Sequence, residues 1–166
     1  GGWQEYFISE GGLGLSKLPA GITPQQALGV FGTTGLTAYF GLLDIGQPKH
    51  GETVLVSGAA GATGSVVAQI AKLKGCRVVG IAGGPQKCEF ITKTLGFDAA
   101  IDYKSDNLFK AIPVQCPDGI DIMFDNVGGD ALTAALMNIN LRARVVLCGG
   151  ISVYNATAPM PGPASY

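Results

Sequence analysis

Between Val54 and Lys72 the chain runs from apolar residues through a glycine-rich turn into a helix-forming stretch. The turn reads Ser57-Gly58-Ala59-Ala60-Gly61-Ala62-Thr63-Gly64-Ser65, with glycines at 58, 61 and 64 in the spacing Gly-x-x-Gly-x-x-Gly. Backbone amides in the first turn of a helix have no intrahelical acceptor and sit at the positive end of the helix dipole. Such a terminus is a ready anion site, and residues without bulk let a pyrophosphate reach it. Gly64 and Ala68 also permit the helix to lie close on a sheet. The chemistry implied is dinucleotide binding, and with it redox transfer.

A glycine triplet alone divides evenly between a cofactor loop and an ordinary tight turn, so its context decides. A strand precedes it and a helix follows, and a second apolar run, Arg77-Val78-Val79-Gly80-Ile81-Ala82, completes a βαβ unit. No Gly-Lys-Ser/Thr closes the turn, which excludes a P-loop. Ala62 stands where the short-chain dehydrogenase pattern needs glycine, and that pattern's Tyr-x-x-x-Lys pair is missing.

An NAD site of this type carries an acid at the end of the second strand, about 20 residues beyond the loop, to hold the ribose 2′-hydroxyl. Here that place is Gly83-Gly84, followed by Pro85-Gln86-Lys87. Space, the lack of a carboxylate and a nearby lysine favour a 2′-phosphate, hence NADP(H). The bland alternative for Lys87 is a solvated surface lysine. Two more glycine-rich turns end later strands: Asp125-Asn126-Val127-Gly128-Gly129 and Cys148-Gly149-Gly150-Ile151-Ser152. Ligands of open α/β sheets bind at such strand ends, so these turns are expected to flank one crevice.

These residues require a particular scaffold. Strands are expected at 54–57, 77–82, 99–102, 120–124 and 144–148. Helices are expected at 62–74, 85–95 and 130–140, with another capped by Ser105. In the last helix Leu132, Ala135, Leu136 and Ile139 form a core stripe. Repeated βα alternation means a doubly wound parallel sheet, a Rossmann dinucleotide-binding domain. Thr23-Pro24 reads as an N-cap and first helical residue, opening helices that run to about Leu43 with a break near Gly32 to Gly35. The expected organisation is a connecting segment at 1–22 from a substrate domain, a helical lead-in at 23–50, the Rossmann domain at 51–155 and a truncated loop at 156–166. A complete Rossmann sheet has a sixth strand, so the chain is expected to be a fragment of a longer, two-domain enzyme.

Bulk properties agree. The chain has 166 residues, 47% of them hydrophobic and only 14% charged. That suits one domain with a sheet buried on both faces. A net charge of −1 without a basic stripe argues against nucleic acid. The uncharged stretch Pro19 to Leu43 reads as a buried helix rather than a membrane span. Cys76, Cys88, Cys116 and Cys148 form no Cys-x-x-Cys pair and read as small buried hydrophobes. His50, the single histidine, lies in a turn. No metal site and a reduced, cytoplasmic protein are expected.

The chain resembles the zinc-independent branch of the medium-chain dehydrogenase/reductases, most of all the prostaglandin/leukotriene B4 reductases and the bacterial curcumin/alkenal reductases. The segments that carry the likeness are Gly35-Leu36-Thr37-Ala38-Tyr39, Val56 to Ser65, Lys72 to Gly80, Leu95-Gly96-Phe97-Asp98, Phe124 to Gly129 and Cys148 to Asn155. The resemblance implies an NADP(H)-dependent reductase of the carbon–carbon double bond in enones and enals. It implies that Gly61, Ala62, Thr63 and Gly64 hold the pyrophosphate, and that Lys87 and Tyr103 meet the 2′-phosphate side. Asn126, Cys148, Ile151, Ser152 and Tyr154 are implied around the nicotinamide half. Tyr154 is also the catalytic candidate, holding the nicotinamide ribose. A quinone reductase of the same superfamily and an inactive nucleotide-binding module remain alternatives. Relatives often dimerise through the sheet edge, so a homodimer of the full-length protein is implied as well. Thr33-Thr34 replaces a Met-Pro of relatives, and Pro113 is expected to interrupt a helix that is longer in them.

Overall fold

The computed structural model describes residues 17–158 together with residues 3, 5, 6, 8 and 162. Most of the connecting segment 1–22 and of the loop expected at 156–166 beyond residue 158 lies outside the described residues. Thr23 caps the first helix, α1 (Pro24–Leu28), through a reciprocal capping box with Gln26. Gly32 opens α2 (Thr33–Phe40), which continues as a π-helical turn over Gly41–Gly46.

Regular alternation follows: β1 (Thr53–Ser57), α3 (Ala62–Leu73), β2 (Arg77–Ala82), α4 (Pro85–Glu89), β3 (Ala99–Asp102), α5 (Leu108–Gln115), β4 (Ile120–Asp125), α6 (Gly129–Leu136) and β5 (Ile139–Leu147). The strands form one parallel five-stranded sheet in the order β3-β2-β1-β4-β5. Strand order reverses between β1 and β4, which is the topological switch point.

Side-chain alternation divides the core. Val54 and Val56 of β1 point with Ile122 and Phe124 toward α2 and α3, against Ala38, Leu42, Val67 and Ala71. Leu55 points the other way with Val79, Ile81 and Met123, toward Ile112 of α5 and Ala131, Ala134 and Ala135 of α6. All of these are buried. Each large aliphatic among them contributes roughly 1.5–3 kcal/mol of transfer free energy.

Several expectations need correction. Asn107, not Ser105, caps α5, its side chain accepting from Lys110 N at 3.3 Å; the Ser105 hydroxyl turns back to Asp102 and Asp106. Pro113 lies inside α5, which runs on for two residues beyond it to Gln115. The amide that proline lacks sits near the helix end, so little of the ladder is lost. The helix expected over 130–140 ends at Leu136, and Ile139 begins β5. Its apolar residues continue past the helix because the edge strand is apolar too. The helix expected over 85–95 changes to a π-helical turn at Phe90–Thr94. The Pro19–Leu43 stretch is not a buried helix: α1 buries no residue, and Leu28, Val30, Phe31, Leu36 and Tyr39 are exposed. Among the cysteines, Cys76 and Cys116 are buried, Cys88 is half-buried and Cys148 is exposed. Among the described residues, no helix is long and apolar enough to cross a membrane.

Candidate functional site

The glycine turn leaves the carboxyl end of β1. Gly58 takes φ +60°, a left-handed conformation that favours glycine, and its carbonyl accepts from Gly61 N at 2.9 Å. Gly61 is the N-cap of α3 and no side chain caps this terminus. The first amides of α3, those of Ala62, Thr63 and Gly64, are therefore left without a side-chain acceptor. A Cβ on Gly64 would stand 2.5 Å from Gly58 O and 3.0 Å from Ala59 Cα. Glycine at 64 is what lets α3 lie directly on the turn.

The second part of the site follows β2. Tyr103, just past β3, packs its ring over Gly83, where a Cβ would meet its Cε1 at 2.7 Å and its hydroxyl at 2.9 Å. Asp102 fixes this corner: its Oδ1 accepts from Gly84 N at 2.7 Å and from Lys104 N at 3.0 Å. Those two amides hold its carboxyl below the usual aspartate range. The sequence reading saw no carboxylate near this turn. One is present, supplied by the neighbouring strand, but its charge is engaged by backbone donors. Lys87 is exposed on α4 and has no ion-pair partner among the described residues.

The third part lies at the switch point. Asp125, at the end of β4, is buried, as is Ser57 at the end of β1. Ser57 Oγ donates to Asp125 Oδ1 at 2.6 Å, and Val127 N and Gly128 N donate to the same carboxylate at 3.0–3.1 Å. Asn126 turns inward, its Nδ2 donating to Ser57 O at 2.7 Å and its backbone N–H to Ser57 Oγ at 2.9 Å. The loop after β5 is laced to this one. Cys148 N and Gly149 N donate to Asp125 O, Ile151 N donates to Asn126 O, and Ser152 Oγ donates to Val127 O at 2.6 Å. Tyr154 folds over Gly149, its hydroxyl accepting from Gly150 N at 3.3 Å while the side chain stays largely exposed.

A cleft of about 540 Å³ joins the three parts. Of the expected residues, Gly61, Lys87, Tyr103, Ile151 and Ser152 line it. Ala62, Thr63, Gly64, Asn126, Cys148 and Tyr154 are not among its lining residues. Gly64 is buried under the turn, Asn126 is engaged with Ser57, and Tyr154 covers the far side of the loop. Sequence reasoning missed Leu108, Asp130 and Ala131 in the wall and Asp102 behind it; Ser57, Asp125 and Val127 stood in the expected crevice turns without a role of their own. For Asp102 and Asp125 there was a signal: each stands at the carboxyl end of a parallel strand. Among the described residues, no three His, Cys, Asp or Glu side chains gather as a metal-binding group.

This is a doubly wound domain with an uncapped glycine turn at the switch point, the architecture of a Rossmann dinucleotide-binding domain. The family model described as zinc-binding dehydrogenase matches residues 62–163. The chain is 52% identical over 164 residues to the NADPH-dependent curcumin reductase of Escherichia coli, covering 98% of this chain and 47% of that protein. It is also 52% identical to mouse prostaglandin reductase 1, over 98% of this chain and 51% of the relative. The crystal structure of CurA from Vibrio vulnificus in complex with NADPH superposes with a TM-score of 0.86 at 53% identity, over 98% of this chain and 48% of that one. The chain belongs to the zinc-binding dehydrogenase family, within its zinc-independent medium-chain dehydrogenase/reductase branch. It spans about half the length of these relatives.

Proposed function

We propose that the protein is an NADPH-dependent oxidoreductase that reduces the carbon–carbon double bond of α,β-unsaturated ketones and aldehydes, and that this chain is its cofactor-binding part. The observation that carries the reading is one cleft with an uncapped helix terminus at one wall and an unpaired lysine beside a packed tyrosine at another. A pyrophosphate fits the first and a 2′-phosphate the second, and the residues present fit NADPH. Gly61, Ala62, Thr63 and Gly64 would hold the pyrophosphate, Gly61 by leaving room for it and the other three through their backbone amides. Lys87 and Tyr103 would take the 2′-phosphate. Asn126, Cys148, Ile151, Ser152 and Tyr154 belong to the loops beside the nicotinamide half. The relatives named for NADPH and for curcumin and prostaglandin reduction support the same reading.

When bound, the nicotinamide supplies hydride to the β-carbon of the enone. The chain's own contribution is to fix the ring at the switch point and to exclude water beside Val127 and Ile151. Negative charge then develops on the substrate carbonyl oxygen, and a donor aimed at it contributes roughly 3 kcal/mol. The reacting carbons must lie about 3–3.5 Å apart, which requires a second wall for the cleft. The 166-residue chain alone is therefore expected to bind cofactor with negligible turnover. A homodimer and a cytoplasmic setting go with this proposal.

Calorimetric titration with NADPH and, separately, NADH tests the cofactor. Tight NADPH binding with much weaker NADH supports the reading, and equal affinities refute the 2′-phosphate assignment. Parallel assays of the full-length protein with an enone and a quinone test the reaction; preference for the quinone would overturn the ene-reductase assignment.

A further inference from the structure

We propose that Asp125 is a positioning residue for hydride transfer: its buried carboxylate sets the wall against which the nicotinamide lies, while the adenosine end of the cleft is independent of it. The inference rests on the cofactor reading above and extends it to a residue that touches neither cofactor nor substrate. A buried polar group without partners is costly, so a wholly buried carboxylate is retained for what it organises. Asp125 organises three separate segments. Through Ser57 Oγ, at 2.6 Å, it reaches the last residue of β1, immediately before the glycine turn. Through Val127 N and Gly128 N it shapes the loop after β4. Its main-chain carbonyl, on the strand end that the carboxylate ties to Ser57, accepts from Cys148 N at 2.8 Å and Gly149 N at 3.1 Å, which starts the loop after β5. The Val127 carbonyl accepts from Ser152 N at 3.1 Å and from Ser152 Oγ at 2.6 Å, so Ser152 is seated on the loop that the Asp125 carboxylate shapes.

The geometry also explains why the loop tolerates such a bend. Gly128 and Gly129 take φ +73° and +57°, and a Cβ on Gly129 would stand 3.2 Å from Ser152 Oγ. The loop after β5 is seated against these glycines. By contrast, the glycine turn closes on itself through Gly61 N to Gly58 O. The Gly83–Tyr103 corner is held by Asp102. Neither makes a hydrogen bond to Asp125. The carboxylate therefore divides the cleft functionally: the Val127–Gly128 and Ile151–Ser152 wall answers to it, and the 2′-phosphate corner does not.

Asparagine at 125 keeps the shape and one acceptor oxygen for the Oδ1 contacts, but it sets an NH2 donor against Gly128 N–H where Oδ2 accepted at 3.0 Å, and it removes the charge that strengthens the remaining bonds. Ser57→Ala removes only the hydroxyl that joins the two strand ends, and supplies a second, milder variant should Asp125→Asn fold poorly. The experiment uses the full-length protein and measures NADPH affinity, adenosine 2′,5′-bisphosphate affinity, and kcat and KM with an enone. Both variants are expected to bind NADPH about 10-fold more weakly and to lose kcat at saturating NADPH by a similar factor. Affinity for the bisphosphate, which lacks the nicotinamide half, is expected to stay within about twofold. A general structural role would weaken both ligands alike, and that result would overturn the inference. Unchanged NADPH affinity and kcat in both variants would overturn it too, while leaving the cofactor reading intact. If the unaltered protein binds neither ligand, the cofactor reading fails, and the inference falls with it.

Discussion

Gly64→Ala is the sharpest test of how the glycine turn works. The new Cβ would lie 2.5 Å from Gly58 O and 3.0 Å from Ala59 Cα, both backbone atoms in a turn that has no slack. Against an optimal separation of about 3.5 Å the carbon is about 1 Å too close. Relief requires α3 to move off the turn, because Gly58 is already held at φ +60° by its bond from Gly61 N. Over-packing of this kind costs about 1–3 kcal/mol, and alanine returns at most about 1 kcal/mol of helix propensity. With that return in full the net loss is up to about 2 kcal/mol, a fall in Tm of up to roughly 4–8 °C for a domain of this size. The same movement displaces the Ala62 and Thr63 amides at the α3 terminus, next to Gly61 in the cleft wall. NADPH affinity is then expected to drop about 10-fold, the worth of one charged hydrogen bond. Thermal unfolding and calorimetric titration measure the two effects independently. A variant that melts at or above the wild-type temperature and binds NADPH unchanged would refute the packing argument and the assignment of the turn together.

Three further outcomes follow from the same geometry. Lys87→Ala is expected to weaken NADPH binding about 10- to 100-fold while leaving NADH affinity unchanged; equal losses for both would remove Lys87 from the 2′-phosphate site. Asp102 has its carboxyl lowered by the Gly84 and Lys104 amides, so its contribution to stability is present above the unfolded pKa of about 3.9 and is lost as pH falls from there through the lower folded value. Asp102→Asn should therefore lower the urea midpoint at neutral pH, with the difference from wild type vanishing in acid; a difference that persists unchanged below that window would contradict the assignment. Tyr154→Phe in the full-length protein removes the hydroxyl that accepts from Gly150 N at 3.3 Å; reduced kcat with an enone is expected, and unchanged turnover would remove its catalytic role.

How far the sequence carried the structure depended on whether a feature was local. The glycine turn, the β1–α3–β2 unit and the Thr23 cap were legible because their geometry is set by residues within a few positions of one another. The five-strand parallel sheet was legible because buried strands read as apolar runs. The α6–β5 boundary was not, since Leu136, Ile139 and Leu141 continue one apolar run across two kinds of element, and periodicity over so few residues cannot separate them. The exposed apolar face of α1 and α2 was misread for a related reason: hydrophobicity reports that a surface favours burial, not which body covers it.

The deepest miss concerns the acids beneath the site. Asp102 was not read as part of it, and Asp125 stood in an expected crevice turn without its holding role, because their partners lie 18 and 68 positions away across neighbouring strands. Reading a site as a set of ligand-facing side chains favours the surface of the cleft and overlooks what holds the surface in shape. In a parallel sheet the carboxyl ends of all strands converge on one edge, so an acid at any of them is within reach of a neighbouring turn's amides. That rule would have pointed to both. It also explains the order of the site: Asp102 ties the β2 and β3 ends into the 2′-phosphate corner, and Asp125 ties the β1, β4 and β5 ends into the opposite wall. A cleft built this way can be tuned at one end without disturbing the other, because each end answers to its own buried or backbone-bound carboxylate.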